Sequence, residues 1–326
     1  MAPAQSHHYV ALNHNAAEFR LVTFERTKDG AIRGRLHVFP MSKCPAYVAI
    51  SFDCGKTSTK HSNPFSDCQP ATDTGFTHSR ENYNYMVFLA KQQNRNHQVG
   101  MMGQIFSNAD FMIAWLGLES DRSVEAMQAI STYRPKLLPV PLSIGPLPLP
   151  QHLRDMLNIF GSLKYWSRLW IVQEIMLAKD ILISWGNEFL PWYKVTNFTN
   201  EYEENWVKLV MEKERRNFFL RDPGRSAGDI GSMKPPSLYA LIVQFAGHGC
   251  IVPRDKVIGL LGLVPDDAAH LADYSTPKDE YFREICKYAF ITARINGEWA
   301  KTRFQCLLGE ILGLSAYEYS VRISNP

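Results

Sequence analysis

Between Lys164 and Ala178 the chain reads Lys-Tyr-Trp-Ser-Arg-Leu-Trp-Ile-Val-Gln-Glu-Ile-Met-Leu-Ala, so an arginine, a glutamine and a glutamate share one short apolar segment with two tryptophans. The segment reads as a helix with few faces left for solvent. Arg168, Gln173 and Glu174 are then carried into an apolar interior, where an unpaired charge costs far more than at the surface. The fold must bring partners to them from elsewhere in the chain. Pro253-Arg-Asp-Lys-Val-Ile-Gly-Leu-Leu-Gly-Leu263 has the same character, a charged triplet leading into an apolar run. A structural ion pair of Arg168 or Glu174 with Arg254 or Asp255 is the simplest expectation.

A chain of 326 residues can bury a large core in one domain or two. Hydrophobic residues at 45% and charged residues at 21% describe a soluble globular protein. The net charge of +3, with no long Lys/Arg block, gives no nucleic-acid footprint. Residues Met1 to His8 lack a basic region followed by an apolar core, and no run of about 18 apolar residues occurs. A cytoplasmic location with no membrane association is expected. Cys44, Cys54, Cys68, Cys250, Cys286 and Cys306 are scattered without a C-x-x-C pair, which favours free buried thiols over a zinc site or a disulfide framework. No metal is expected, and no cofactor is specified.

Glu18 to Phe24 and Arg33 to Phe39 alternate apolar and polar residues around Lys28-Asp29-Gly30, the pattern of an antiparallel hairpin. Tyr47 to Phe52 is more uniformly apolar, as a strand covered on both faces would be. It runs into Asp53-Cys54-Gly55-Lys56, a polar turn at the carboxyl end of a strand, where open α/β sheets place ligands. Gly55-Lys56-Thr57 is not a phosphate-binding loop, because Ser51 occupies the upstream glycine position. Residues 57 to 82 read as a loop, and Tyr85 to Ala90 as a short strand. Val99, Met102 and Phe106 fall at helical spacing between Asn94 and Phe106, and Phe111 to Leu116 reads as the next strand. Strand, helix and strand within about 30 residues make a βαβ unit, which implies an α/β core with parallel strands.

Pro135, Pro139, Pro141, Pro146, Pro148 and Pro150 make residues 135–150 an extended connector. It separates residues 1–134 from residues 151–295. A further strand is expected over Ile181 to Trp185, a solvated helix over Glu201 to Arg216, a loop from Asp222, and additional C-terminal helices from Ser237 and Lys278. Asp266-Asp267 lacks the spacing of a magnesium-binding carboxylate pair and reads as the start of a helix.

Taken in order, these segments resemble the fungal heterokaryon incompatibility (HET) domain, from His8 to about Ile295. Trp166-Ser-Arg-Leu-Trp-Ile-Val-Gln-Glu174 is similar to the family's R-x-W-x-x-Q-E element, and Pro253 to Leu263 to its P-R-D-K-V-x-x-L-L-G-L element. Arg95 to Val99, Ile105 to Ala109 and Trp115-Leu-Gly117 are similar to the helix and strand that follow its central motif. The chain also departs from the pattern. Ala49-Ile-Ser-Phe-Asp-Cys-Gly55 stands where the family has A-L-S-Y-x-W-G, so Cys54 replaces the tryptophan. Tyr85 to Gln92, with Asn94-Arg95, stands where the family has W-I-D-A-x-C-I-N-Q and an acidic E-R pair. No W-V-P-D-W-like element follows Trp299, and residues 296–326 read as a divergent tail.

The resemblance implies a TIR-like fold: a mainly parallel central sheet flanked by helices, here with the N-terminal hairpin and the additional C-terminal helices. It implies an effector of fungal non-self recognition and programmed cell death, with self-association or a signalling partner. Two other readings stay open. One is a small-molecule enzyme of fungal secondary metabolism; the other is a TIR-like hydrolase of NAD, whose oxocarbenium-like transition state needs a carboxylate. Candidate catalytic groups are Asp53, His97 and Glu174. Candidate ligand-binding groups are Ser51, Gln92, Arg95, Gln98, Arg168, Trp170, Gln173, Arg254 and Asp255. Each has a plainer reading beside it. Trp166 and Trp170, four apart, would share a helical face and pack in the core, and His97 would sit hydrogen-bonded at a helix start.

Overall fold

The computed structural model describes residues 12–28, 30, 32–52, 86–87, 95–133, 150–196 and 236–314. Alternation builds the first element as expected: β1 (Glu18–Arg26) and β2 (Ile32–Pro40) pair antiparallel from Glu18 opposite Pro40 to Arg26 opposite Ile32. Gly30 supplies the positive φ of 84° in the turn, where a side chain would be strained. Phe19 and Leu21 point into the core, while Arg35 pairs with Glu25 at 2.9 Å on the outside.

The uniformly apolar β3 (Val48–Phe52) is buried from Val48 to Ser51, as a central strand must be. It pairs in parallel with β4 (Met86–Val87) on one side and with β5 (Phe111–Trp115) on the other. Beyond β5 lies β6 (Ile181–Trp185), also parallel, and then the antiparallel β7 (Glu188–Pro191). The hairpin belongs to the same sheet, because Val22 of β1 pairs antiparallel with Met86 of β4. The order is β2-β1-β4-β3-β5-β6-β7, a parallel centre of four strands with antiparallel flanks. The chain steps from β3 to β4 on one side and then crosses to β5 on the other. The carboxyl ends of β3 and β5 therefore flank a topological switch point, where open α/β sheets leave a crevice.

Helix α1 (Arg95–Asn108) links β4 to β5 and buries Met101, Met102, Ile105 and Phe106. Tyr47 fixes it to the head of β3 by donating to the Ile105 carbonyl at 2.6 Å. Between β5 and β6 lie α2 (Asp121–Thr132), α3 (Gln151–Gly161) and α4 (Trp170–Leu177). After β7 come α5 (Tyr193–Thr196), α6 (Leu238–Phe245), α7 (Asp255–Ile258), α8 (Lys278–Ala293) and α9 (Glu298–Ile311). Ser237 caps α6 by accepting from the Ala240 amide at 3.2 Å. Asp266 and Asp267 open a 3-10 turn, Asp266–Leu271. One continuous core of buried residues runs from Phe19 and Leu21 through Ile105, Trp166 and Ile175 to Phe245, Ile285 and Phe304.

The structure differs from expectation at the segment from Lys164 to Ala178. It is not one helix. A 3-10 turn, Lys164–Ser167, gives way to extended backbone at Arg168 (φ −80°, ψ 137°), and α4 starts only at Trp170. The cause is tertiary: Arg168 forms a parallel bridge with Gly249, which needs an extended residue. Trp166 and Trp170 therefore do not share a helical face. Trp166 is buried against Phe160 and gives its indole N–H to the Phe160 carbonyl at 2.8 Å. Trp170 is half-buried at the edge of the core. The expected loop over residues 57 to 82, most of the connector 135–150, the helix over Glu201 to Arg216 and the loop from Asp222 lie outside the described residues.

Candidate functional site

The carboxyl end of β3 meets the first turns of α4 in a buried polar cluster. Ser51, the last fully buried residue of β3, donates its hydroxyl to Glu174 Oε2. Its Oγ lies 2.7 Å from the Tyr165 hydroxyl, and with the serine proton committed to the carboxylate, Tyr165 is the donor. Ser51 is 1% exposed and Glu174 5%. Burial raises the Glu174 carboxyl above its ordinary value, against the opposing pull of the Arg168 guanidinium and the Ser51 hydrogen bond. Burial and the neighbouring Glu174 charge push the Tyr165 phenol far up as well, so it stays a proton donor. Arg168 closes the cluster by donating to the Phe52 carbonyl at 2.5 Å. Glu174 is thus a buried carboxyl whose charged form burial disfavours and Arg168 and Ser51 favour, at the end of a parallel strand where ligands approach.

Gln173 is buried one residue earlier and has a different task. With its amide oriented to satisfy both neighbours, Gln173 donates to the Gly259 carbonyl and accepts from the Gly103 amide, both at 3.1 Å. Gly262 leaves the space that this amide fills, since a Cβ there would overlap the Gln173 side chain. Gln173 therefore fastens α1 to the turn that follows α7.

The charged triplet Arg254-Asp255-Lys256 holds backbone. Arg254 donates to the carbonyls of Asp273 (3.0 Å) and Thr276, with its guanidinium 4.8 Å from the centre of the Tyr281 ring. Asp255 accepts from the Tyr274 hydroxyl at 2.5 Å, and Lys256 donates to the carbonyls of Ala246 (2.6 Å) and His248. Arg168 donates to the Phe52 carbonyl and Glu174 accepts from Ser51, while Asp255 accepts from Tyr274. The two segments meet where Gly259 packs against Leu169 and Trp170 and where Gln173 reaches Gly259 and Gly262, and just ahead of the second segment Gly249 N donates to the Ser167 carbonyl at 2.5 Å and the Gly249 carbonyl accepts from Leu169 N at 2.9 Å.

Of the candidate residues, the structure gathers Ser51, Arg168 and Glu174, and places Gln173 and Trp170 beside them. Arg254 and Asp255 face the 273–276 turn. Arg95, His97 and Gln98 lie in the first turn of α1, described here by backbone alone, while Asp53 and Gln92 lie outside the described residues. Sequence reasoning missed Tyr165. Its only signal was a hydroxyl-bearing aromatic beside Trp166 in a segment that had to be buried. Among the described residues no group of three or more His, Cys, Asp and Glu could hold a metal ion, and no helix is long and apolar enough to cross a membrane. The described cysteines, Cys44, Cys250, Cys286 and Cys306, are free thiols.

Residues 47–174 match the family model described as heterokaryon incompatibility protein (HET). The match begins at Tyr47, at the head of β3, and ends on Glu174, so it spans the segments whose ends meet in the cluster. No curated protein and no solved structure matches the chain.

Proposed function

We propose that this chain, with its HET segment at residues 47–174, acts as an effector of fungal non-self recognition that ends in programmed cell death. The observation that carries the reading is the Ser51–Glu174–Tyr165 cluster. The serine of Ala49-Ile-Ser51 and the glutamate of Gln173-Glu174 lie near the two ends of the matched segment, and they meet at a strand end beside a switch point. The parallel order β4-β3-β5-β6 supports a TIR-like, doubly wound reading of the fold. The effector works in the cytoplasm, through self-association or a signalling partner.

Inducible expression in a fungal host tests this. The wild-type chain should arrest growth, and Glu174→Gln at equal protein level should relieve the arrest by at least about tenfold in surviving colonies, the scale expected when one buried charged group of a working site is lost. Full tolerance of well-expressed wild-type protein would sink the effector reading and favour a small-molecule enzyme of fungal secondary metabolism.

A second reading follows from the electrostatics of Glu174. A carboxyl raised by burial and flanked by a guanidinium suits cleavage of the glycosidic bond of NAD. Purified protein should then release nicotinamide from NAD, and Glu174→Gln should abolish the release. Release at the buffer rate would exclude it.

A further inference from the structure

The geometry points to Lys256 as a positioning residue for the strand-end site, acting on Glu174 through Gly249 and Arg168. The inference rests on the reading of Glu174 as the working group. The route is continuous. The Lys256 ammonium donates to the Ala246 carbonyl at 2.6 Å and to the His248 carbonyl, just past the carboxyl end of α6, where a positive charge also complements the helix dipole. These bonds hold the turn that delivers Gly249. Gly249 then clamps the backbone on both sides of Arg168: its N–H donates to Ser167 O at 2.5 Å, and its carbonyl accepts from Leu169 N at 2.9 Å. That clamp keeps Arg168 extended between the 3-10 turn and α4, the conformation in which its guanidinium reaches the Phe52 carbonyl. In this place it also draws the Glu174 carboxyl down against the effect of burial.

Lys256 does not touch the cluster. Among the described residues, the charged group that shifts Glu174 is Arg168, and Tyr165 reaches the carboxylate only through Ser51. An effect of Lys256 on Glu174 must therefore travel through the backbone of residues 246–249 and 167–169. A purely structural lysine would alter stability and leave the titration of Glu174 where it is.

The test is infrared difference spectroscopy on the full chain, following the protonated carboxyl band of Glu174, assigned by its loss in Glu174→Gln. Lys256→Met and Gly249→Pro, which lacks the N–H given to Ser167, should each raise the titration midpoint of Glu174 by about one pH unit or more, the scale of losing a nearby opposite charge. Gly249→Ala keeps the N–H, and its Cβ would meet Ser167 O at an ordinary 3.5 Å, so it should leave the midpoint unchanged. Should neither Lys256→Met nor Gly249→Pro fold by circular dichroism, Lys256→Gln decides, with a smaller rise of the same sign expected. Wild-type midpoints in the folded variants would overturn the inference. The outcome is separate from the proposed function, because growth arrest that survives Glu174→Gln would remove the effector role of the site while leaving the titration result standing.

Discussion

Glu174 and Gln173 are neighbours on one buried helix, yet their polar atoms serve opposite ends. The Gln173 amide is neutral and spent on two backbone groups, whereas the Glu174 carboxyl is raised by burial above its ordinary value of 4.5. A carboxyl raised in the folded state binds more protons there than in the unfolded chain. Its contribution to stability is complete below about pH 4.5 and is lost as pH rises through the folded value. Glu174→Gln is neutral at every pH and removes that loss. Calorimetric Tm of the variant relative to wild type should therefore climb as pH rises above about 4.5, and a flat difference would show that the carboxyl titrates alike in both states. At Gln173 the sensitive partner is the glycine. Gly262→Ala should cost about 3 kcal/mol by overpacking the amide. Gly103→Ala, whose Cβ would keep 3.4 Å from both the Gln173 side-chain amide and Gly262 Cα, should cost far less, as chemical denaturation can check.

The same division holds between elements. Periodicity located β1, β2, β3, β5, β6, α1, α6 and α8, because each buries a regular stripe or a continuous apolar run. It failed from Lys164 to Leu169, where the backbone follows a bridge to Gly249, 81 positions on by the numbering, that no local pattern announces. The site was half legible for a related reason. Composition showed that Arg168, Gln173 and Glu174 needed partners, but Ser51 became the partner of Glu174, with Tyr165 bonded to Ser51, only where the end of β3 meets α4. Arg254 and Asp255, candidate ligand-binding groups by sequence, hydrogen-bond to the 273–276 turn, and Lys256 to the turn after α6. Arg254→Met should leave the carbonyls of Asp273 and Thr276 without their donor and cost about 2 kcal/mol. Hydrogen exchange should rise first at residues 273–277. The Asp273 carboxyl there, held well below its ordinary value by Thr276 and Ser275, adds its own support above about pH 3.8 and loses it as pH falls, so the turn should open further in acid.

At the scale of the molecule, the question is whether residues 296–326 are a tail or part of the fold. α9 has its own start at Gly297, after Arg294 ends α8 in the left-handed region (φ 55°), and its first turn exposes Trp299. Further along, however, α9 buries Phe304 and Leu308, and the Phe304 ring stacks on Tyr239 of α6 at 4.8 Å and meets Phe290 of α8 at 5.6 Å. α6 in turn ends at the turn held by Lys256, beside the bridge to Arg168. If the buried core is one cooperative unit, damage at Phe304 must be felt at β3. Phe304→Ala should cost about 4 kcal/mol by cavity formation and lower Tm in a single transition. Amide exchange in β3 and β5 should then accelerate together with that in α9, because all three open by the same global event. Were α9 an appendage, the variant would instead show fast exchange confined to residues 298–311 with β3 still protected.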